Sequence, residues 1–412
     1  MLFKNIHQLL QIRPVDQRWV AGSDMAELPH IEDAFLITEG DRIVAFGPMA
    51  KCPASHPGEV IDATGRILLP AWCDSHTHLV YAGNRENEWL ARLQGHSYAE
   101  IAANGGGILN SARLLNETSE EELYEQSRHR LEAVMRMGTG AAEIKSGYGL
   151  TVEGELKMLR VIRRLKENYP VAIKATFLGA HALPAIYQDD KATYLRVLID
   201  KLLPRIAKEG LADYVDVFCE KGYFSVADTI QLMEAGNKHG LQPKIHVNQF
   251  TALGGVAAAV ANNALSVDHL EELMDADITA LQDSQTMPVA LPGCSFFLRI
   301  PYTPARRLLA AGLPLALATD YNPGSAPSGN MNLVVSLACS QMGLLPAEAI
   351  NAATLNGAYA MGLETELGSV TVGKRANLLL SEPLPSFTAL PYSFGENLLT
   401  HVMIGGNFIP LP

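Results

Sequence analysis

The stretch "LLPAWCDSHTHLVYAGNRENEW", Leu68–Trp89, ends an apolar run at two histidines one residue apart and follows them with an arginine among carboxylates and amides. Side chains at i and i+2 of a strand share a face, so His76 and His78 leave the strand end together. Working outward from the strand "RILLPAWCDSH", further apolar β-type runs alternate with helical patterns: "GAAEIKSG", "VAIKATFLGAH", "YVDVFCE", "PKIHVNQ", "LSVDHLE", "MPVALPG" and "LPLALATD". With the first they make eight, the number that closes an α/β fold of the TIM type, a (β/α)8 barrel. One connecting helix is legible in detail in "TSEEELYEQSRHRLEAVMRMG". Ser119 and Glu122 have capping-box spacing, Leu123, Leu131, Val134 and Met135 form a helical apolar stripe, and Gly138 suits the stop. Its acidic run reads as a solvated first turn that favours the helix dipole.

The two ends of the chain read differently. "AFLITEGDRIVAFGPM" is a hairpin across Glu39-Gly40-Asp41, and "LGSVTVGKRANLLLSE" and "HVMIGGNFIP" again give short strands with glycine turns. The termini are therefore expected to pair into one small composite β-sandwich domain, residues 1–66 and 363–412, around a barrel of residues 67–362.

Composition bounds the function. Of 412 residues, 48% are hydrophobic and 18% charged, which excludes a disordered or fibrous chain. The five cysteines are scattered with no CxxC pair, which argues against a disulfide framework and fits a reducing cytoplasm. No N-terminal stretch joins a basic start to an apolar core, and no segment reaches the apolar length of a membrane span, so neither export nor membrane binding is expected. The net charge of -12 and the lack of a basic stripe with interleaved aromatics oppose nucleic-acid binding. An anionic ligand needs a local cation here.

Barrel enzymes carry their chemistry at the C-terminal strand ends. Strand one ends at His76 and His78, strand five at His246, strand six at His269 and strand eight at Asp320. Imidazole nitrogen and carboxylate oxygen suit zinc or iron, and a catalytic site needs three or four protein ligands with a position left for water. His76, His78, His246 and Asp320 supply that set. A lone HxH is a weak signal, since such a pair is often only polar residues at a sheet end; further ligands at the correct later strand ends make it much stronger.

On "DSHTH", "IHVNQ", "VDHLE", "ATDYNPGSAPSGN" and the flanking two-part β region, the chain resembles the metal-dependent amidohydrolase superfamily over nearly its whole length. Longer stretches, "HTHLVYAGNRENEW", "AANGGGILNSARLLNETSEEEL", "EIKSGYGL", "LGAHALP" and "DYNPGSAP", are similar to the branch that opens the ring amide of 4-imidazolone-5-propanoate to N-formimidoyl-L-glutamate in histidine degradation. The resemblance implies one Zn2+ or Fe3+ per chain, activating water, and a homodimer. It implies that Asp320 is both ligand and proton shuttle, and that His269 orients the water or stabilises the oxyanion. Arg85 is then the fork for the propanoate carboxylate. Tyr148 and His181 bind substrate, while Asn322, Gly324 and Ser325 contact ring or product from the loop after strand eight. Gln249 stands where some relatives carry Glu, which points to a hydrogen bond to the ring and leaves the base role to Asp320. Glu220 is expected beside the metal in place of a bridging lysine, with Lys221 the only competing residue for a second metal.

Alternatives stay open residue by residue. Arg85 could pair with Glu86 or Glu88, His181 could be a strand-end polar residue, and Tyr148 could simply pack. A purine or pyrimidine deaminase or a cyclic-imide hydrolase shares the metal ligands without needing Arg85 and His181 together. A silent scaffold would have lost the ligands that this chain keeps. "NGGGILN", Asn104–Asn110, lacks the Lys-Ser/Thr of a phosphate loop, and its glycines Gly105–Gly107 suggest a lid over the substrate.

Overall fold

The structure, a computed structural model, describes residues 1–96, 100 and 106–410. Barrel strands one to eight are Trp72–Thr77, Thr139–Lys145, Ala172–Ala180, Tyr214–Cys219, Gln242–Val247, Ser266–His269, Met287–Ala290 and Ala316–Leu317. They lie side by side in chain order, and every pair is parallel. Strands one, two and four are buried at every residue, their polar members Asp74, Glu143, Lys145 and Asp216 included.

Strand eight is much shorter than "LPLALATD" predicts. The Asp74 side chain intervenes: its Oδ1 accepts from Thr319 N at 3.0 Å and its Oδ2 from Thr319 Oγ1 at 2.7 Å. Asp320 then turns into the left-handed region at φ +56°. The barrel closes through this kinked segment, where Asp320 N donates to His76 O (3.0 Å) and His78 N to Tyr321 O (2.9 Å).

The termini form a second sheet of eight strands, Leu2–Leu10, His30–Glu39, Arg42–Pro48, Val60–Asp62, Arg66–Pro70, Leu378–Pro383, Leu399–Ile404 and Asn407–Ile409. The expected hairpin pairs Glu39 with Arg42, and Gly40 takes the φ of +56° that the tight turn needs. The sheet curls over its own apolar face. Phe3 and Phe408, from strands well apart in sheet order, meet with ring centroids 6.3 Å apart, among buried Ile6, Leu36, Leu378 and Met403.

The stretch read as one strand, "RILLPAWCDSH", is two. Arg66–Pro70 belongs to the terminal sheet and only Trp72–Thr77 to the barrel, so the boundary expected after residue 66 falls at residue 71 instead. The handover takes one peptide: Ala71 N donates to Asn377 O in the terminal sheet (2.9 Å), and Trp72 N to Gly138 O beside barrel strand two (3.0 Å). Pro70, which has no N–H to give either ladder, ends the first strand.

The helix read from its caps spans Glu120–Arg136, with Ser119 Oγ accepting from Glu122 N at 3.1 Å and the predicted apolar residues buried. Among the described residues no helix is long and apolar enough to cross a membrane.

Candidate active site

Five strand-end residues meet at the barrel mouth, all with 3% or less of their surface exposed. The ligand atoms of His76, His78 and His246 lie within 4.8 Å of one another, as do those of His76, His269 and Asp320. Asp320 Oδ1 is 3.5 Å from Nε2 of both His76 and His78. His246 Nε2 stands 3.3 Å from His78 Nε2.

Behind this ring, carboxylates fix two imidazoles. Asp268 Oδ2 lies 2.6 Å from His76 Nδ1, and Asp216 Oδ2 lies 2.8 Å from His246 Nδ1. An ionised carboxylate only accepts, so each Nδ1 carries the hydrogen and each Nε2 presents a bare lone pair to the same point. His76 Nε2 is buried and has no hydrogen-bond partner among the described residues. Lone pairs turned toward one another in a dry site repel, and a cation between them resolves the conflict. The residues therefore fit a metal ion, and three imidazoles with one carboxylate suit zinc or iron.

Electrostatics favours the ligand-competent forms. Burial holds His76, His78 and His246 well below the ordinary imidazole value, reinforced at His76 and His246 by the Lys145 ammonium. Burial also brings His181 down to about 4, so it is neutral near pH 7. At His269 burial again opposes the charge, but Glu271, 3.3 Å from Nδ1, together with Asp320 and Asp268 raises the imidazole. Burial raises Asp320 to about 6, partly offset by His269.

A small chamber at this point, lined by His78, Tyr148, His181, Gln249, His269 and Asp320, adjoins an outer cavity of about 500 Å³. Arg85 lines the outer cavity. Its Nε donates to Ser111 Oγ at 2.8 Å, while its buried Nη2 has no hydrogen-bond partner among the described residues. It pairs with neither Glu86 nor Glu88; Glu88 Oε1 instead accepts from Gly107 N. His181 Nδ1 lies 3.1 Å from Gly147 O, which places the hydrogen on Nδ1 and turns Nε2 into an acceptor. Tyr148 is buried with Arg85 5.9 Å above its ring, and burial pushes its phenol up, so it stays protonated.

The loop after strand eight divides its labour. Asn322 is a builder: its Oδ1 accepts from Gly324 N and Ser325 N, and its Nδ2 donates to Asp320 O and Ser325 Oγ. Ser325 Oγ lies 3.4 Å from Asp320 Oδ2. A Cβ on Gly324 would come within 2.5 Å of Arg85 Nη1, so glycine is what lets the guanidinium approach. Gln249 Nε2 donates to Cys294 Sγ at 3.4 Å.

Glu220 does not sit with the ligands. Its Oε2 accepts from Phe250 N and Thr251 N, and its Oε1 from Lys221 N and Thr251 Oγ1, anchoring the loop after strand five. Lys221 is exposed. Of the proposed lid, Asn104 and Gly105 lie outside the described residues, and Gly107 leads into the helix Ile108–Glu117.

Several residues went unread in the sequence. Asp216 and Asp268 hold the histidines, Lys145, Glu143 and Lys244 lie beneath them, and Glu271 polarises His269. Glu155 accepts from Gly147 N, Gly149 N and Leu150 N, holding the turn that carries Tyr148. The available signal was a charged residue inside an apolar barrel strand, as in "VDV" and "VDH".

Comparison with known proteins agrees with this geometry. A profile described as the amidohydrolase family matches residues 67–409. The chain is 62% identical over 408 residues to an imidazolonepropionase of Flavobacterium johnsoniae, covering 99% of both chains. It is 43% identical over 390 residues to an imidazolonepropionase of Geobacillus kaustophilus, covering 93% of this chain and 92% of the relative. Among solved structures, a 5-methylcytosine deaminase from Klebsiella pneumoniae superposes with a TM-score of 0.75 at 16% identity, covering 100% of this chain and 98% of the other. A zinc-bound adenosine deaminase from Xanthomonas campestris gives 0.69 at 18%, covering 99% and 92%. At that identity the structural likeness speaks for the fold alone.

Proposed function

The chain belongs to the amidohydrolase family, and from that premise and its imidazolonepropionase relatives we infer that it opens the ring amide of 4-imidazolone-5-propanoate, giving N-formimidoyl-L-glutamate. It is a hydrolase of a cyclic amide C–N bond. One observation carries the substrate assignment: Arg85, whose buried Nη2 has no hydrogen-bond partner among the described residues, lines a cavity beside the three imidazoles. A propanoate carboxylate supplies the missing acceptor, and the guanidinium fork matches it.

His76, His78, His246 and Asp320 would hold one Zn2+ or Fe3+ per chain. When bound, the ion supplies Lewis acidity, bringing the pKa of an attacking water from ~15.7 toward roughly 7. The protein's own groups then divide the work. Arg85 seats the carboxylate, and Tyr148, His181 and Gln249 border the ring. Asp320 takes the proton of the attacking water and delivers it to the departing ring nitrogen, which is a poor leaving group without it. His269, polarised by Glu271, stabilises the negative oxygen that develops on the attacked carbonyl. Asn322, Gly324 and Ser325 hold the loop beside the ring and leave room for Arg85.

The same reading includes a homodimer in a reducing cytoplasm, in keeping with five free cysteines, and neither nucleic acid nor membrane as partner, in keeping with the net charge of -12. The test is direct. Metal-loaded protein mixed with freshly prepared imidazolone propanoate should abolish the substrate's ultraviolet band and yield formimidoylglutamate. Ammonia release from guanine or cytosine, with the imidazolone untouched, would instead establish a deaminase.

A further inference from the structure

Beneath the histidines lies a lattice of charges with no exposed surface: Glu143, Lys145, Asp216, Lys244 and Asp268, each 0% exposed. Five strands contribute neighbours to it, since Thr176 also donates to Glu143. Three carboxylates face two ammonium groups, leaving one negative charge in excess directly under a site built for a cation.

The two lysines are not equivalent. Lys145 Nζ is 2.6 Å from Glu143 Oε1, 2.9 Å from Asp216 Oδ2 and 3.6 Å from Asp268 Oδ2. It therefore touches both carboxylates that hold histidine ligands, Asp216 behind His246 and Asp268 behind His76. Lys244 Nζ contacts Glu143 Oε2 (2.7 Å), Ala360 O (2.7 Å) and Ser75 O (3.3 Å) instead. Asp216 Oδ2 and Asp268 Oδ2 each also face an imidazole Nδ1–H, so one atom of each carboxylate joins the ammonium to a ligand ring.

From this we propose that Lys145 is a positioning residue for the metal. One ammonium on strand two fastens the carboxylates on strands four and six, and through them sets where His246 and His76 aim their Nε2 atoms. The physical reason is geometric: the ammonium donates to Glu143 and Asp216 and stands 3.6 Å from Asp268, so one charge attracts carboxylates from three strands. Remove it, and two anions packed in a dry barrel repel each other and take their imidazoles with them. Outer groups of this kind set metal affinity by factors of about 10–100 in other metal sites.

The proposal rests on the metal reading above, and the test separates the two. Zinc affinity is measured by competition with a chromophoric chelator on wild type, Lys145→Met, Lys244→Met, Asp268→Asn and the Lys145→Met/Asp268→Asn double variant, with folding followed by circular dichroism and metal-free melting. Wild type should bind zinc tightly. Lys145→Met should bind at least 10-fold more weakly while still melting cooperatively, and Lys244→Met, which removes an equally buried charge that acts on Asp268 without touching Asp216 or Asp268, should lose clearly less affinity than Lys145→Met. The double variant should be no weaker than the sum of its parts predicts, because both changes cut the same linkage. If Lys145→Met does not fold, Lys145→Gln takes its place with the same expectation. Unchanged affinity in the folded Lys145 variant, or an equal loss in Lys244→Met, overturns the positioning role alone. A wild type that binds no zinc and no iron overturns the metal reading and this proposal together.

Discussion

Barrel and terminal domain each bury a lysine, and they do so in opposite ways. Lys145, within barrel strand two, faces Glu143, Asp216 and Asp268. Burial opposes its charge, yet Asp216 and Glu143 outweigh that and raise its pKa, so it is an ammonium throughout the accessible range. Lys374, where the C-terminal segment rejoins the small domain, donates to Glu364 O, Leu367 O and Ser369 Oγ, all neutral acceptors. There burial wins and lowers it to about 8. The barrel surrounds its buried ammonium with opposite charge, which the proposed positioning role accounts for; the small domain only satisfies donors. A buried ion pair is weak evidence for stability, so the barrel lattice is better explained by the site above it.

The sharpest challenge to that contrast is Asp320→Asn. If the barrel's charges exist for chemistry, this variant should keep its fold and melting temperature within a few degrees while kcat falls about 10³-fold or more, since it loses both a metal ligand and the proton carrier. Near-normal turnover would remove the proton-shuttle role.

Lys374 tests the other side. Its folded pKa lies below the unfolded value of 10.5, so between about pH 8 and 10.5 the unfolded chain binds more protons, and stability rises with pH. Below pH 8 both states are protonated and the penalty is fully present. The stability difference between wild type and Lys374→Met, from urea melts, should therefore shift in favour of wild type by on the order of 3 kcal/mol across that window, with other groups cancelling. The same pair of measurements on Lys145→Met should be flat up to pH 10.5, because a raised pKa gives stability that is lost only above that range. A flat Lys374 difference would make the two lysines alike and end the comparison.

How much of this was legible in sequence follows the same division. Strand ends were: His76, His78, His246, His269 and Asp320 each close an apolar run, and their convergence needs only the rule that barrel strands are parallel and in order. The partners within the strands were not: a lone Asp in "VDV" marks a buried charge but does not name its partners, which are His246 and a lysine 71 residues away. The change of sheet at Ala71 was hidden for a similar reason. "RILLPAWCDSH" is apolar on both sides of Pro70, and only the hydrogen-bond partners, Asn377 and Gly138, separate the two strands. Asn322 was placed against the substrate by resemblance, and its four side-chain hydrogen bonds are all to its own loop. What it positions is Gly324 and Ser325, whose backbone N–H groups both donate to its Oδ1.

Arg85 extends the comparison to a cation whose Nη2 has no hydrogen-bond partner among the described residues. Arg85→Met should raise KM for the imidazolone propanoate by about 10–100-fold with a smaller change in kcat, the scale of losing charge-assisted hydrogen bonds to a carboxylate. Gly324→Ala should move KM the same way by roughly 10-fold, since its Cβ reaches the guanidinium at 2.5 Å and the side chain has to give. A fall in kcat alone from either variant would place Arg85 outside carboxylate binding.

Lys221 supplies the smallest expected effect and the cleanest boundary to the comparison. It is the lysine nearest in sequence to where a bridging ligand would stand, yet it is exposed, and its neighbour Glu220 has both oxygens engaged by the loop after strand five. An exposed ammonium contributes little to its surroundings, with paired surface charges worth about 0–1 kcal/mol. Lys221→Ala should leave metal content at one equivalent per chain, and turnover and melting temperature nearly unchanged. Two equivalents in wild type falling to one in the variant would show a second ion reaching that side chain, and the barrel lattice would then have to be counted against two cations instead of one.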